Sequence, residues 1–319
     1  MDRKKALNAV EKIKGFVAPI PAVFDGEGEP DLPMIEKLVD FYLAARVHGF
    51  FLFGSIGMGP ACRDDQRKAV TEAVIRRVAH RVPVIVQVGT VDPYSSVELA
   101  AHARSAGADA IGVVGPYYYN NRTEFELIEH YKLIDRAAAL PILLYNNPQY
   151  SGYPCPPQMM AKIRDAVPNV FGAKLADGSV SQAMQYLSVL SHEFATFCPI
   201  TVVVPGMLVG IRGSIAAGPI AVVPEVGVQM IEALWAGKLE LGLRLQVLML
   251  EHYGRMARFF PLYGRAEYRE GFRLRGLAVR EYPRWPTRPM TTEDRELYDQ
   301  NLKRLFTEAE TLTLSAAAA

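Results

Sequence analysis

The sequence is short of cysteine, of tryptophan and of surplus charge. Its three cysteines, Cys62, Cys155 and Cys198, stand far apart in 319 residues and form no C-x-x-C pair. That excludes a disulfide framework and fits a reducing cytoplasm. Lys and Arg total 35 against 34 Asp and Glu, a net charge of +1. So small an imbalance makes nucleic acid and anionic membrane poor candidates as main partners. Long apolar runs are missing too. The nearest, residues 194–211, is uncharged but broken by Pro199 and Pro205, so no membrane span is expected. The opening MDRKKALNAVEKIKG has no apolar core of secretory-signal length. Six histidines (His48, His80, His102, His130, His192 and His252) show no ligand spacing, and no metal site is expected. Apolar residues make up 50% and charged residues 22%, enough to build a sizeable core and to exclude disordered and low-complexity classes. The closing LSAAAA reads as a frayed tail.

What is present is an alternation. Short apolar runs recur at 15–24, 49–54, 83–89, 110–115, 141–145, 170–175, 194–198 and 214–217. Each is rich in Val, Ile, Phe, Leu or small apolar residues, the pattern of strands buried on both faces. Helical patterns lie between them at 32–47, 63–81, 95–106, 124–138, 157–166 and 181–190. In the first, Ile35, Leu38, Val39 and Leu43 keep the i, i+3, i+4 spacing of one helix face. Asp31, and Ser179 or Ser181, stand where helix N-caps are expected.

Eight strands alternating with helices predict an α/β fold, a closed (β/α)₈ TIM barrel. The competing open doubly wound sheet calls for a glycine-rich phosphate loop after its first strand. Here that segment is the acidic Asp25-Gly26-Glu27-Gly28-Glu29-Pro30. Beyond residue 218 the strands stop. Helical patterns follow at 226–235, 239–260 and 265–279, then at 293–312 after a turn with Pro283, Pro286 and Pro289. The expected organisation is a catalytic barrel over 1–223 with a helical extension over 224–319 packed on it.

A barrel enzyme works at the C-terminal ends of its strands. The polar residues there are few. Strand two runs into Gly54-Ser55-Ile56-Gly57, strand four into Pro116-Tyr117-Tyr118-Tyr119, and strand five into Tyr145-Asn146-Asn147-Pro148. Strand six carries Lys174 at its end. Burial there disfavours the ammonium form, and a neutral amine is the nucleophile that makes a Schiff base with a ketone. A lysine that snorkels to the rim, or pairs with Asp177, fits the same position. Tyr145 on the neighbouring strand could relay protons, or be a rim aromatic. Ser55 could hydrogen-bond that phenol, and the turn 54–57 could offer N–H groups to a carboxylate.

Taken together, Gly-Ser-Ile-Gly, Pro-Tyr-Tyr, Tyr-Asn-x-Pro and Gly-x-Lys resemble the dihydrodipicolinate synthase/N-acetylneuraminate lyase family. The resemblance runs closely over 15–218 and loosely beyond, where Arg288-Pro289 looks like the family's closing Arg-Pro segment. It implies a class I lyase or aldolase of the pyruvate type, with no cofactor other than its own lysine. It implies a homotetramer, a dimer of dimers. By it, Lys174 is the Schiff-base lysine and Tyr145 the acid/base phenol. Ser55 and Tyr118 complete the proton relay, Tyr118 from a neighbouring subunit. The N–H groups of Ser55 and Ile56 hold the keto-acid carboxylate, Gly54 and Tyr150 border the substrate, and Ile215 walls the Schiff base. The partners implied are a 2-keto acid such as pyruvate and an aldehyde.

The departures narrow this expectation. Ile56 and Met58 stand where the family usually has a hydroxyl residue and a glutamate. Tyr150 stands where the synthases carry the arginine that binds aspartate semialdehyde, so authentic dihydrodipicolinate synthesis is not expected. The loops 198–204 and 216–218 are too apolar for a sugar chain. With Tyr119 and Tyr150 they suggest an acceptor pocket that is aromatic and uncharged. Cleavage, condensation and dehydration of a 2-keto acid all remain open. A catalytically silent keto-acid sensor or scaffold is the rival, set against it by the retained Lys174 and Tyr145.

Overall fold

The computed structural model describes residues 3–176, 178–191 and 193–318. His192 and Asp177 lie outside the described residues, and so does the pairing of Asp177 with Lys174.

Eight strands close on themselves in chain order. They are β1 (Gly15–Pro19), β2 (Gly49–Leu52), β3 (Val84–Gln87), β4 (Ala110–Val114), β5 (Ile142–Asn146), β6 (Val170–Leu175), β7 (Ala195–Cys198) and β8 (Gly213–Ser214). All pairs are parallel, and every strand residue is buried. Pairing of β1 with β8 excludes the open sheet. That closure needs a residue without a side chain. Gly213 has φ +152°, and a Cβ on it would sit 2.0 Å from the Gly15 carbonyl oxygen.

Two apolar clusters share the alternating faces of the strands. One fills the barrel, with Val17, Phe51, Ile85, Leu143, Phe171 and Phe197 among its members. The other lies between the strands and the surrounding helices. The helices begin where their caps predict. The Asp31 carboxylate accepts from the Met34 N–H at 3.2 Å, and Arg280 pairs with the same carboxylate at 2.9 Å. Ser179, rather than Ser181, caps Val180–Leu190 by accepting from Gln182 N–H at 3.2 Å.

Three features depart from the sequence reading. The N-terminal segment forms a helix, Lys4–Lys12, with Ala6, Ala9 and Val10 on one face, and Ile13 just beyond it joins them in the barrel cluster. Its run of lysines hides an ordinary i, i+3, i+4 pattern. Helix Thr292–Ala318 extends past the expected 293–312 into the alanine-rich stretch, where alanine has the highest helix propensity. Short helices Pro148–Ser151 and Val203–Leu208 follow β5 and β7, too brief to show periodicity. The C-terminal helices Pro224–Trp235, Leu239–Met256 and Ala266–Leu274 pack beside the barrel. Just ahead of them, Tyr42 donates to the Ala221 carbonyl at 2.9 Å. Among the described residues, no helix is long and apolar enough to cross a membrane.

Candidate active site

The parallel register of β5 and β6 sets Tyr145 beside Lys174. Lys174 is 7% exposed, and its Nζ lies 3.7 Å from the centre of the Tyr145 ring. It also lies 5.5 Å from the Phe51 ring centre, and Phe51 meets Tyr145 edge-on at 5.6 Å. Two ring faces thus hold the amine at the rim, a contact that needs no carboxylate partner.

Tyr145 is buried, and burial by itself raises a phenol. The opposing influences win. The charge of Lys174, and hydrogen bonds from Lys174, Asn147 and Ser55, bring the Tyr145 pKa below its ordinary value. The Asn147 amide donates to the phenol oxygen at 2.8 Å. Lys174, Tyr145, Asn147 and Ser55 therefore form one connected group that can hold and move a proton at the Tyr145 oxygen.

The loop after β2 is shaped by its glycines. A Cβ on Gly54 would lie 2.8 Å from the Phe51 ring, the same ring that supports Lys174. Ile56 turns into the core at 1% exposure, and its carbonyl accepts from the Tyr282 hydroxyl at 3.0 Å. It can therefore serve a ligand through its backbone alone. Among the described residues, the N–H groups of Ser55 and Ile56 have no backbone acceptor.

The cleft has two lobes that share Ser55, Tyr145, Asn147 and Tyr150. The lobe of about 300 Å³ contains Lys174, Ile215 and the apolar turns after β7 and β8. The lobe of about 410 Å³ is bounded by Met58, Gln87, Tyr117 and Trp285. Both sizes suit small-molecule substrates.

Of the residues expected at the site, Lys174, Tyr145, Ser55, Gly54, Tyr150 and Ile215 all border this cleft. Tyr118 does not. It is 80% exposed, has φ +69°, and stacks edge-on with Tyr119 at 5.0 Å. The half-buried Tyr117 lines the cleft in its place.

One expectation is corrected. The acceptor side is aromatic but not uncharged, because Arg265 reaches both lobes. Its guanidinium donates to the Tyr150 hydroxyl at 2.7 Å. The sequence carries no signal for this, since Arg265 sits outside the barrel strands, just before Ala266–Leu274. Asn147 was within reach of the sequence, as the second asparagine of the Tyr-Asn-Asn-Pro motif. Gln87 is the last residue of β3, and its amide donates to the Phe53 carbonyl at 3.2 Å. Nothing marked it apart from the other strand ends.

A parallel barrel with lysine and tyrosine on adjacent strand ends places the protein among barrel-fold lyases and aldolases. Comparison with known sequences defines the group. The Dihydrodipicolinate synthetase family matches residues 12–305, and the chain belongs to that family. YagE of Escherichia coli K12 is 31% identical over 228 residues, 69% of this chain and 73% of YagE. The 4-hydroxy-tetrahydrodipicolinate synthase of Caldicellulosiruptor bescii is 30% identical over 296 residues, 91% of this chain and 96% of that one. The crystal structure of YagE in complex with pyruvate superposes with a TM-score of 0.83 at 26% identity, covering 92% of this chain and 98% of YagE. Ruminococcus gnavus sialic acid aldolase shares the fold, with a TM-score of 0.84 at 24% identity over 94% of this chain and 99% of that one.

Proposed function

We propose that this protein is a class I lyase or aldolase whose Lys174 forms a Schiff base with pyruvate or another 2-keto acid. The observation that carries the reading is the contact of the Lys174 amine with Tyr145, whose phenol is brought below its ordinary pKa. The pyruvate complex of YagE supports the choice of keto acid.

In this reading the Lys174 amine adds to the keto carbon. The carbonyl oxygen takes protons through Tyr145 and leaves as water, giving an iminium. Loss of a proton from the adjacent carbon gives an enamine, and that carbon bonds to the aldehyde carbon while the aldehyde oxygen is protonated. Water then hydrolyses the iminium and frees Lys174. The reverse sequence cleaves the same bond, and loss of a neighbouring hydroxyl from the enamine is a dehydration. The iminium formed on Lys174 is the electron sink, so no separate cofactor is invoked.

The keto-acid carboxylate lies on the N–H groups of Ser55 and Ile56, at Gly54, with Ile215 walling the imine. Ser55 passes protons to Tyr145. Tyr118 completes the relay from a neighbouring subunit of a homotetramer, a role that its 80% exposure in one chain supports. Tyr150, in place of the synthases' arginine, argues for an acceptor other than theirs. The net charge of +1 agrees with an enzyme without nucleic-acid or membrane partners, and the three scattered free cysteines agree with a cytoplasmic one. Substituting Lys174→Ala tests the reading: turnover is lost while the circular dichroism spectrum is kept. A Lys174→Ala protein that still makes or breaks the aldol would overturn it.

A further inference from the structure

The loop after β2 holds an uncommon shape. Phe53 (φ +57°) and Met58 (φ +49°) are non-glycine residues in the left-handed region. The turn between them is tight. A Cβ on Gly57 would lie 2.6 Å from the Phe53 backbone nitrogen, and one on Gly59 would lie 2.4 Å from the Phe53 carbonyl oxygen. Such a backbone persists only where its surroundings hold it. β2 holds it at the Phe53 end. At Ile56 it is held from far along the chain, by the Tyr282 hydroxyl, which donates to the Ile56 carbonyl at 3.0 Å.

Tyr282 is fully buried. Burial raises its pKa, so the phenol keeps its proton and stays a donor. Its oxygen accepts in turn from the Arg265 guanidinium. A charged donor on a hydroxyl oxygen strengthens the bond that the hydroxyl gives. The segment carrying Tyr282 is fastened on both sides of it. Glu281 exchanges backbone hydrogen bonds with Phe24, at 3.0 and 3.2 Å. Arg284 donates to the Ala61 carbonyl at 2.8 Å and to the Gln66 side chain at 2.6 Å. Residues 280–284 thus form a strap tied to the loops after β1 and β2.

In the Schiff-base reading, on which the following rests, the N–H groups of Ser55 and Ile56 take the keto-acid carboxylate. A peptide free to rotate can turn a carbonyl oxygen, rather than an N–H, toward an anion. With the Ile56 carbonyl engaged by Tyr282, that alternative is closed. The Ile56 side chain offers no hydroxyl, so the contact at this position depends on backbone geometry alone. We infer that Tyr282, backed by Arg265, is a positioning residue that fixes the loop after β2 for the carboxylate of the 2-keto acid. Through it the C-terminal strap sets the keto-acid affinity of the barrel.

The test needs no aldehyde. Exchange of the pyruvate methyl protons in heavy water, followed by NMR, reports the enamine formed on Lys174. Its dependence on pyruvate gives KM and kcat for wild type, Tyr282→Phe and Arg284→Gln. Borohydride trapping is titrated in parallel with pyruvate and with pyruvamide, its uncharged analogue. Tyr282→Phe is expected to raise the pyruvate KM about 5- to 10-fold while kcat stays within about 2-fold. Half-maximal trapping shifts likewise for pyruvate and much less for pyruvamide. Arg284→Gln, which releases the Ala61 end of the strap, shifts pyruvate the same way by a smaller factor. An unchanged pyruvate KM in Tyr282→Phe overturns the inference. So does an equal shift for pyruvate and pyruvamide, or a fall in kcat at unchanged KM, either of which would mark general damage to the site. Should Tyr282→Phe fail to fold, an unchanged KM in Arg284→Gln overturns it. Failure of the wild type both to trap pyruvate and to exchange its protons would instead bring down the Schiff-base reading, and this inference with it.

Discussion

Tyr145 and Lys174 are register partners across β5 and β6, with the lysine nitrogen 3.7 Å from the centre of the tyrosine ring. The relationship does two things. The aromatic face holds a buried amine without an anion, and the positive charge of that amine favours the phenolate. Each side chain conditions the other, and the two roles proposed for Tyr145, packing surface and proton carrier, can be separated by substitution.

Tyr145→Phe keeps the ring and removes the hydroxyl. The protein should fold with a melting temperature close to wild type, while kcat falls by about 10²- to 10⁴-fold. Steady-state kinetics beside a thermal melt check this. A Tyr145→Phe enzyme with full kcat would remove the phenol from the mechanism.

Asn147 donates to the Tyr145 oxygen at 2.8 Å, which favours the phenolate. Asn147→Leu withdraws that donor, so the Tyr145 pKa should rise. Whichever limb of the pH–rate profile reports this phenol should move to higher pH. The profile itself is the measurement, and an unmoved limb would mean that the amide only packs.

Glu267 carries a pKa of about 8 in the folded chain against an ordinary 4.5, because it is buried. The sign follows from proton counts. Below about pH 4.5 both states hold the proton and the contribution is intact. Between about pH 4.5 and 8 the unfolded chain is ionised while the folded one keeps its proton, so stability falls across that window and levels off above it. Glu267→Gln cannot ionise. Its melting temperature relative to wild type should therefore rise steadily from pH 5 to about pH 8. A difference that stays constant with pH would show that Glu267 ionises normally.

Gly172 on β6 faces the Ala195 carbonyl oxygen, which a Cβ would approach to 2.2 Å. Backbone cannot yield as a flexible side chain can. Gly172→Ala should cost about 1–3 kcal/mol in urea unfolding, with trapping at Lys174 impaired because the residue lies on the same strand. An unchanged urea midpoint would contradict the packing described.

The strands were legible because they are buried on both faces, which writes short, continuous apolar runs bounded by Gly or Pro. Lys174 and Tyr145 were legible for the same reason: a polar residue ending such a run is conspicuous. β8 was the least distinct, since it has two residues and is defined by the close approach of Gly213 to Gly15. Arg265 was not legible. Its position depends on how a helix outside the barrel docks, and no local pattern encodes that. Ile56 was legible in part: its type removes a side-chain hydroxyl and leaves backbone donors for a carboxylate, whereas the burial of its side chain in the core, with its carbonyl bonded to Tyr282, depends on tertiary packing.

The most direct measurement is the intact mass of the protein after incubation with pyruvate and borohydride, with the modified peptide mapped. The account predicts one reduced pyruvyl adduct per chain, on Lys174, absent from Lys174→Ala. Saturable pyruvate binding without any adduct would contradict it and mark the protein as a keto-acid binder that performs no chemistry.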